Sequence, residues 1–186
     1  MKEEINNALA SLKSGGLILY PTDTIWGIGC DAGNTEAVKK IFSLKKRDPS
    51  KSLLVLLSSE NQLERYVKNV PDICWELIEQ SDRPITLVYP EGINLAEGVC
   101  ADDGSIAVRI TDDPFCKTLI DRYNKAVIST SANISNEAFP ENFHTISEEI
   151  KQGVDYIVNL RQNELMNKPS SILKVGLNGE IKIIRK

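Results

Sequence analysis

Residues 35–57 read TEAVKKIFSLKKRDPSKSLLVLL: an amphipathic stretch, a basic loop and an apolar run in immediate succession. Val38, Ile41 and Phe42 fall at helical spacing on one face, and Thr35, following Asn34, is the predicted N-cap. The helical pattern runs out at Ser43-Leu44, where the loop begins. Leu53 to Leu57 are five apolar residues in a row, which predicts a buried strand.

The flanking sequence repeats this helix-and-strand theme irregularly. Toward the N-terminus, Ile5, Ala8, Leu9 and Leu12 share one face of a helix predicted over residues 2–14, which Gly15-Gly16 stops. A buried strand follows over 17–20, ended by Pro21, and Thr22-Asp23-Thr24 is a polar turn. Toward the C-terminus, helices are predicted at 61–68, 72–80 and 114–123, and strands at 85–89, 105–110, 126–129 and 154–159. A closing hairpin joins 172–175 to 181–184 through Asn178-Gly179. The pattern is not a regular βαβ repeat. The fold class it predicts is α/β, a single domain over residues 1–186 with a twisted mixed β-sheet flanked by helices.

Composition narrows the function. Hydrophobic residues are 41% of 186, enough for a sizeable core. No apolar run approaches the ~20 residues of a membrane-spanning helix, and no apolar segment near Met1 reads as a signal peptide, so a cytoplasmic protein is expected. Cys30, Cys74, Cys100 and Cys116 form no C-x-x-C pair and His144 is the one histidine, so no zinc site and no Ser/His/Asp triad is expected. The net charge of −4 argues against a general nucleic-acid binder. Yet Lys39, Lys40, Lys45, Lys46, Arg47 and Lys51 crowd six of the 22 basic residues into thirteen positions.

Four segments are candidates for chemistry. The basic loop 45–51 offers guanidinium and ammonium donors suited to phosphate, or is a solvated charged loop in which Asp48 offsets one charge. Residues 129–135, STSANIS, set small hydroxyl and amide groups after a buried strand, as a ligand site or as a turn. Residues 21–27, PTDTIWG, could hold a polar ligand on threonine hydroxyls, with Trp26 as an apolar wall or as core. Arg109 sits in the apolar strand 106–110 and needs a partner: a ligand carboxylate, or Asp102, Asp103 or Asp112.

Read in order, these pieces resemble the YrdC-like family of threonylcarbamoyl-AMP synthases. The resemblance rests on PTDTIWG at 21–27, Ile41-Phe42 leading to Lys45-x-Arg47, PITLV at 84–88, SIAVR at 105–109, SANIS at 131–135, PSSI at 169–172 and the late Arg185. It implies a short, single-domain, YrdC-like enzyme that condenses L-threonine, bicarbonate or CO2, and ATP. The products are threonylcarbamoyl-AMP and pyrophosphate, the former for a partner transferase that modifies adenosine 37 of tRNA. By resemblance, Lys45, Arg47, Ser131 and Asn133 are the catalytic set. Arg47, Lys51, Ser105, Asn133, Ser171 and Arg185 bind ATP, and Thr24, Arg109, Ser131 and Ser170 bind threonine. Mg2+ is expected on the phosphates, with no protein carboxylate set to mark it.

The sequence departs from the family pattern at several points. Asp48 and Ser52 stand where prolines are usual, Leu56 where many members carry histidine, and Trp26 where tyrosine is usual. Asp82-Arg83 replaces Pro-Gly, and Asn136 replaces a glycine. Two other readings compete: a non-catalytic module binding double-stranded RNA or tRNA, and the carbamoyl-transfer role of the related domain in hydrogenase maturation. The charge of −4 counts against the first, and the second usually sits in a much larger chain.

Overall fold

A computed structural model describes all 186 residues. In chain order the elements are α1 (Lys2–Lys13), β1 (Ile18–Tyr20), β2 (Gly27–Gly29), α2 (Thr35–Lys45), β3 (Leu54–Leu57), α3 (Ile73–Glu79), β4 (Ile85–Tyr89) and β5 (Ile106–Ile110). Then come α4 (Pro114–Tyr123), β6 (Val127–Ile128), β7 (Thr130–Ser131), α5 (Glu148–Gln152), β8 (Tyr156–Ile157), β9 (Ser171–Val175) and β10 (Ile181–Arg185). Where a helix is expected over 61–68, a 3-10 helix forms over Glu60–Arg65.

The strands make two mixed sheets rather than one. Six strands run in the order β10-β9-β4-β5-β3-β6 and four in the order β7-β2-β1-β8. The chain passes from one sheet to the other at Ser129, between β6 and β7. β2 is the element the sequence hid, because Gly-Ile-Gly is a poor strand by propensity. Its glycines are there for space. A Cβ on Gly29 would lie 2.6 Å from the Ile128 carbonyl oxygen and 2.7 Å from the Tyr20 ring.

Local chemistry sets the helix ends. Asn34, not Thr35, caps α2: its side chain accepts from the Ala37 N–H at 3.1 Å. Lys46 closes the same helix in the left-handed conformation, φ 48°. Asp113 caps α4 by accepting from the Cys116 N–H at 2.9 Å, with Pro114 in the first turn.

Alternation along the large sheet separates core from cleft. Ile106 and Val108 of β5 join Val55, Leu57 and Leu87 in the main core. Ala107 and Arg109 point the other way, beside Leu54, Thr86, Val88 and Ile172. α1 and α4 cover a second apolar cluster that includes Ile18, Tyr20, Leu56 and Val127. No helix is long and apolar enough to cross a membrane.

Candidate active site

A cleft of about 340 Å³ opens over the Arg109 face of the six-stranded sheet. The turn at 22–25, β2, β7 and the segments around Ser170 and Arg185 wall it. Three arginines line it, Arg47, Arg109 and Arg185, together with eight hydroxyl side chains and no carboxylate. That is unusual in a chain of net charge −4. A larger cavity of about 590 Å³ reaches the opposite face of the sheet. Its charged lining is mostly acidic, with Asp23, Glu60, Asp82 and Asp112 against Arg83 and Lys117, so a polyanion fits the smaller cleft better.

Arg109 is buried, and its partner is none of the three aspartates the sequence suggested. Its Nη2 lies 3.4 Å from Asp23 Oδ1, and its Nη1 donates to Thr24 Oγ1 at 2.8 Å. Asp23 is brought there by the turn after β1, where the Thr22 hydroxyl accepts from the N–H groups of Thr24 and Ile25 and donates to the Ile25 carbonyl. Beside this ion pair, the Thr111 hydroxyl donates a hydrogen bond to Asp23 Oδ2 at 3.2 Å. The Arg109 Nε is buried and has no hydrogen-bond partner, and the same holds for Asp23 Oδ1. This corner is a neutral ion pair.

The other cations are held differently. Arg47 Nη2 donates to the Ser52 carbonyl at 2.7 Å, and its buried Nε is unpartnered. Arg185 clasps the Ser170 carbonyl with Nε at 3.0 Å and Nη2 at 2.8 Å. Burial pulls both guanidinium pKa values down, with Arg109 adding to the effect at Arg185. Lys45 is buried and donates to the carbonyls of Ser131 and Asn133. Burial, helped by Arg47, pushes its ammonium down to about 7. The two carbonyl oxygens act the other way, favouring the protonated form. None of these three cations has a carboxylate partner. Their positive charge is oriented but not neutralised.

A family model described as Telomere recombination, covering the Sua5, YciO and YrdC proteins, matches residues 10–186. The chain belongs to the Sua5/YciO/YrdC family. The Threonylcarbamoyl-AMP synthase of Psychromonas ingrahamii is 38% identical over 138 residues, 73% of this chain and 72% of that protein. P. abyssi Sua5 complexed with L-threonine is 25% identical at a TM-score of 0.82, covering 92% of this chain. This chain spans 50% of that Sua5. E. coli YciO, 19% identical, shares the fold at a TM-score of 0.86 over 100% of this chain and 90% of its own.

Within this family fold the cleft gathers Thr24, Arg47, Arg109, Ser131, Ser170 and Arg185. Lys45, Lys51, Ser105, Asn133 and Ser171 do not line it. Lys45 braces the 131–133 segment from behind. Asn133 donates its amide to the carbonyls of Ile134 and Glu137 at 3.0 and 2.7 Å, leaving a buried Oδ1 without a partner. Lys51 is exposed. Ser105 precedes β5 in a turn with Asp103, whose carboxyl its hydroxyl and N–H hold down to about 2. Ser171 falls between Ser170 and Ile172, which do line the cleft, so pleating turns it away.

Thr22, Ser129 and Thr130, from two of the candidate segments, line the cleft as well, and so do Ser52 and Thr86, which were not named as site residues. Thr86 was detectable, as a polar residue inside an apolar strand, and it shares a 2.7 Å hydrogen bond with Ser170. Trp26 is core, packed on Phe143 at 5.2 Å between ring centroids, and forms no wall of the cleft. Asp48 accepts from the Ser50 N–H and hydroxyl at 3.0 and 2.8 Å, and these bonds lower its pKa. It shapes an exposed turn, and its carboxylate acts on Arg47 through space without an ion pair, a partial offset of that charge. Asn136 takes φ 71°, which explains how it fills a glycine position.

Proposed function

We propose that this chain is an L-threonylcarbamoyladenylate synthase. It takes L-threonine, bicarbonate or CO2, and ATP, and releases threonylcarbamoyl-AMP and pyrophosphate. The observation that carries the reading is the cleft's lining: three arginines, eight hydroxyls and no carboxylate, with Arg109 set in the floor beside Thr24. The family membership and the named relatives supply the reaction. The threonine-bound Sua5 supplies the amino acid.

The chemistry needs no protein nucleophile. The threonine amine attacks CO2 and, losing a proton, becomes a carbamate. A carbamate oxygen then attacks the α-phosphate, and pyrophosphate leaves. Arg109, with the Thr24 hydroxyl beside it, binds the threonine carboxylate. Arg47 and Arg185 face the triphosphate and stabilise charge on its oxygens. Ser131 stands between the two substrates, and Lys45 and Asn133 hold its segment in place. Rate enhancement comes from proximity and from preset donors. Mg2+ would arrive with the ATP and offset charge on its phosphates. The product passes to a partner transferase acting on tRNA.

The test is pyrophosphate release with ATP, bicarbonate and L-threonine. Release that depends on threonine is expected. Binding of RNA without any threonine-dependent release would favour the RNA-binding module instead.

A further inference from the structure

A closed circuit of polar contacts surrounds the amino-acid half of the cleft, and part of it lies outside. Arg161, after β8, has φ 53°, a conformation uncommon for arginine. Its Nη1 pairs with Asp113, its Nη2 donates to the Thr22 carbonyl at 3.1 Å, and its Nε donates to Glu164 at 2.7 Å. The Asp113 side chain is only 3% exposed, and Arg161 is its one ion-pair partner. From Asp113 the circuit runs through its N–H to Thr111 Oγ1 at 3.2 Å, then from that hydroxyl to Asp23 at 3.2 Å. Asp23 meets Arg109, Arg109 meets Thr24, and the Thr24 and Thr22 hydroxyls lie 3.0 Å apart. The Thr22 carbonyl returns it to Arg161.

We propose that Arg161 is a positioning residue for the amino-acid substrate, fixing the 22–24 turn and the direction of the Arg109 guanidinium from outside the cleft. The inference rests on the reading of the cleft as a threonine site. An arginine that served only to neutralise Asp113 at the start of α4 would not need the Thr22 carbonyl. The guanidinium spans both, and it holds its place despite an unfavourable backbone angle. The nucleotide half of the cleft makes no contact with this side chain.

Two variants separate positioning from bulk stability. Arg161→Asn removes the guanidinium but keeps a residue that tolerates the left-handed backbone. Arg161→Lys keeps a charge for Asp113 but lacks the fork that reaches Thr22 as well. Pyrophosphate release is measured with threonine varied at saturating ATP and the converse, and threonine binding is measured by calorimetry without ATP. Both variants should raise the threonine KM and Kd on the order of tenfold, the loss of one charge-assisted bond, and leave the ATP KM within about twofold. If Arg161→Asn does not fold, Arg161→Lys carries the test alone. An unchanged threonine Kd in folded Arg161→Lys overturns the inference, and so do equal rises for both substrates. Absence of threonine-dependent release in the unsubstituted protein refutes the functional reading itself, before any variant is made.

Discussion

The two halves of the cleft hold their cations by opposite means. At the amino-acid end, Arg109 is paired with Asp23, so the corner is neutral before any ligand arrives. At the other end, Arg47 and Arg185 are held by the carbonyl oxygens of Ser52 and Ser170. A carbonyl orients a cation without cancelling its charge. A neutral pair suits a zwitterion, which brings one charge of each sign. Un-neutralised cations suit a triphosphate. On the proposed reading, one cleft would distinguish its two substrates by electrostatics as well as by shape.

The largest effect should come from breaking the neutral corner. Arg109→Ala leaves Asp23 with no counter-charge, and should lower stability by about 3 kcal/mol while cutting threonine-dependent release on the order of a hundredfold or more. Adding Asp23→Asn should restore much of the denaturant midpoint and none of the release. Full recovery of activity in the double variant would mean that Arg109 does not touch threonine.

Breaking the carbonyl-held end should cost binding more than folding. Arg47→Ala removes a charge-assisted donor and should raise the ATP KM roughly ten- to a hundredfold. The denaturant midpoint should barely move, because no carboxylate is left unpaired. A large loss of stability would contradict the contrast drawn between the two ends.

Lys45 gives a pH signature. Its folded-state pKa, about 7, lies below the unfolded lysine value, so the unfolded chain binds more protons between the two. Stability should therefore rise as pH climbs above about 7, and be lowest below it. In Lys45→Met, the change in denaturant midpoint between about pH 6.5 and about pH 9.5 should be smaller than in the unsubstituted protein. An identical change in both would show that Lys45 keeps its proton throughout.

The smallest effect belongs to Asp48, whose carboxylate faces solvent and Ser50. Asp48→Ala should leave both KM values within about twofold. A marked fall in the ATP KM would show that the offset of Arg47 by Asp48 is more than partial.

What the sequence disclosed depended on the range of the interaction. Helices α1, α2 and α4 were legible because their apolar residues recur within a turn, and β3, β4 and β5 because their runs are continuous. β2 was not, since Gly29 is required by the approach of the Tyr20 ring on the neighbouring strand and of the Ile128 carbonyl, 99 positions away. The division into two sheets was equally hidden, because it depends on which strands pair across long stretches of chain, and β6 and β7, separated only by Ser129, fall in different sheets. Arg109's need of a partner could be inferred from its apolar strand, but not the choice of Asp23, which the turn after β1 delivers from 86 positions away. Lys45 and Arg47 look alike in a basic loop. Their fates differ because the left-handed Lys46 ends α2 between them, turning one toward the 131–133 carbonyls and the other toward the cleft.

The central claim, that one end of the cleft takes threonine and the other ATP, is tested most directly by a crossed titration. Pyrophosphate release is followed in Arg109→Lys and Arg47→Lys, with each substrate varied while the other is saturating. The account predicts a raised KM for threonine alone in Arg109→Lys, and for ATP alone in Arg47→Lys. Parallel rises in both constants in both variants would contradict it.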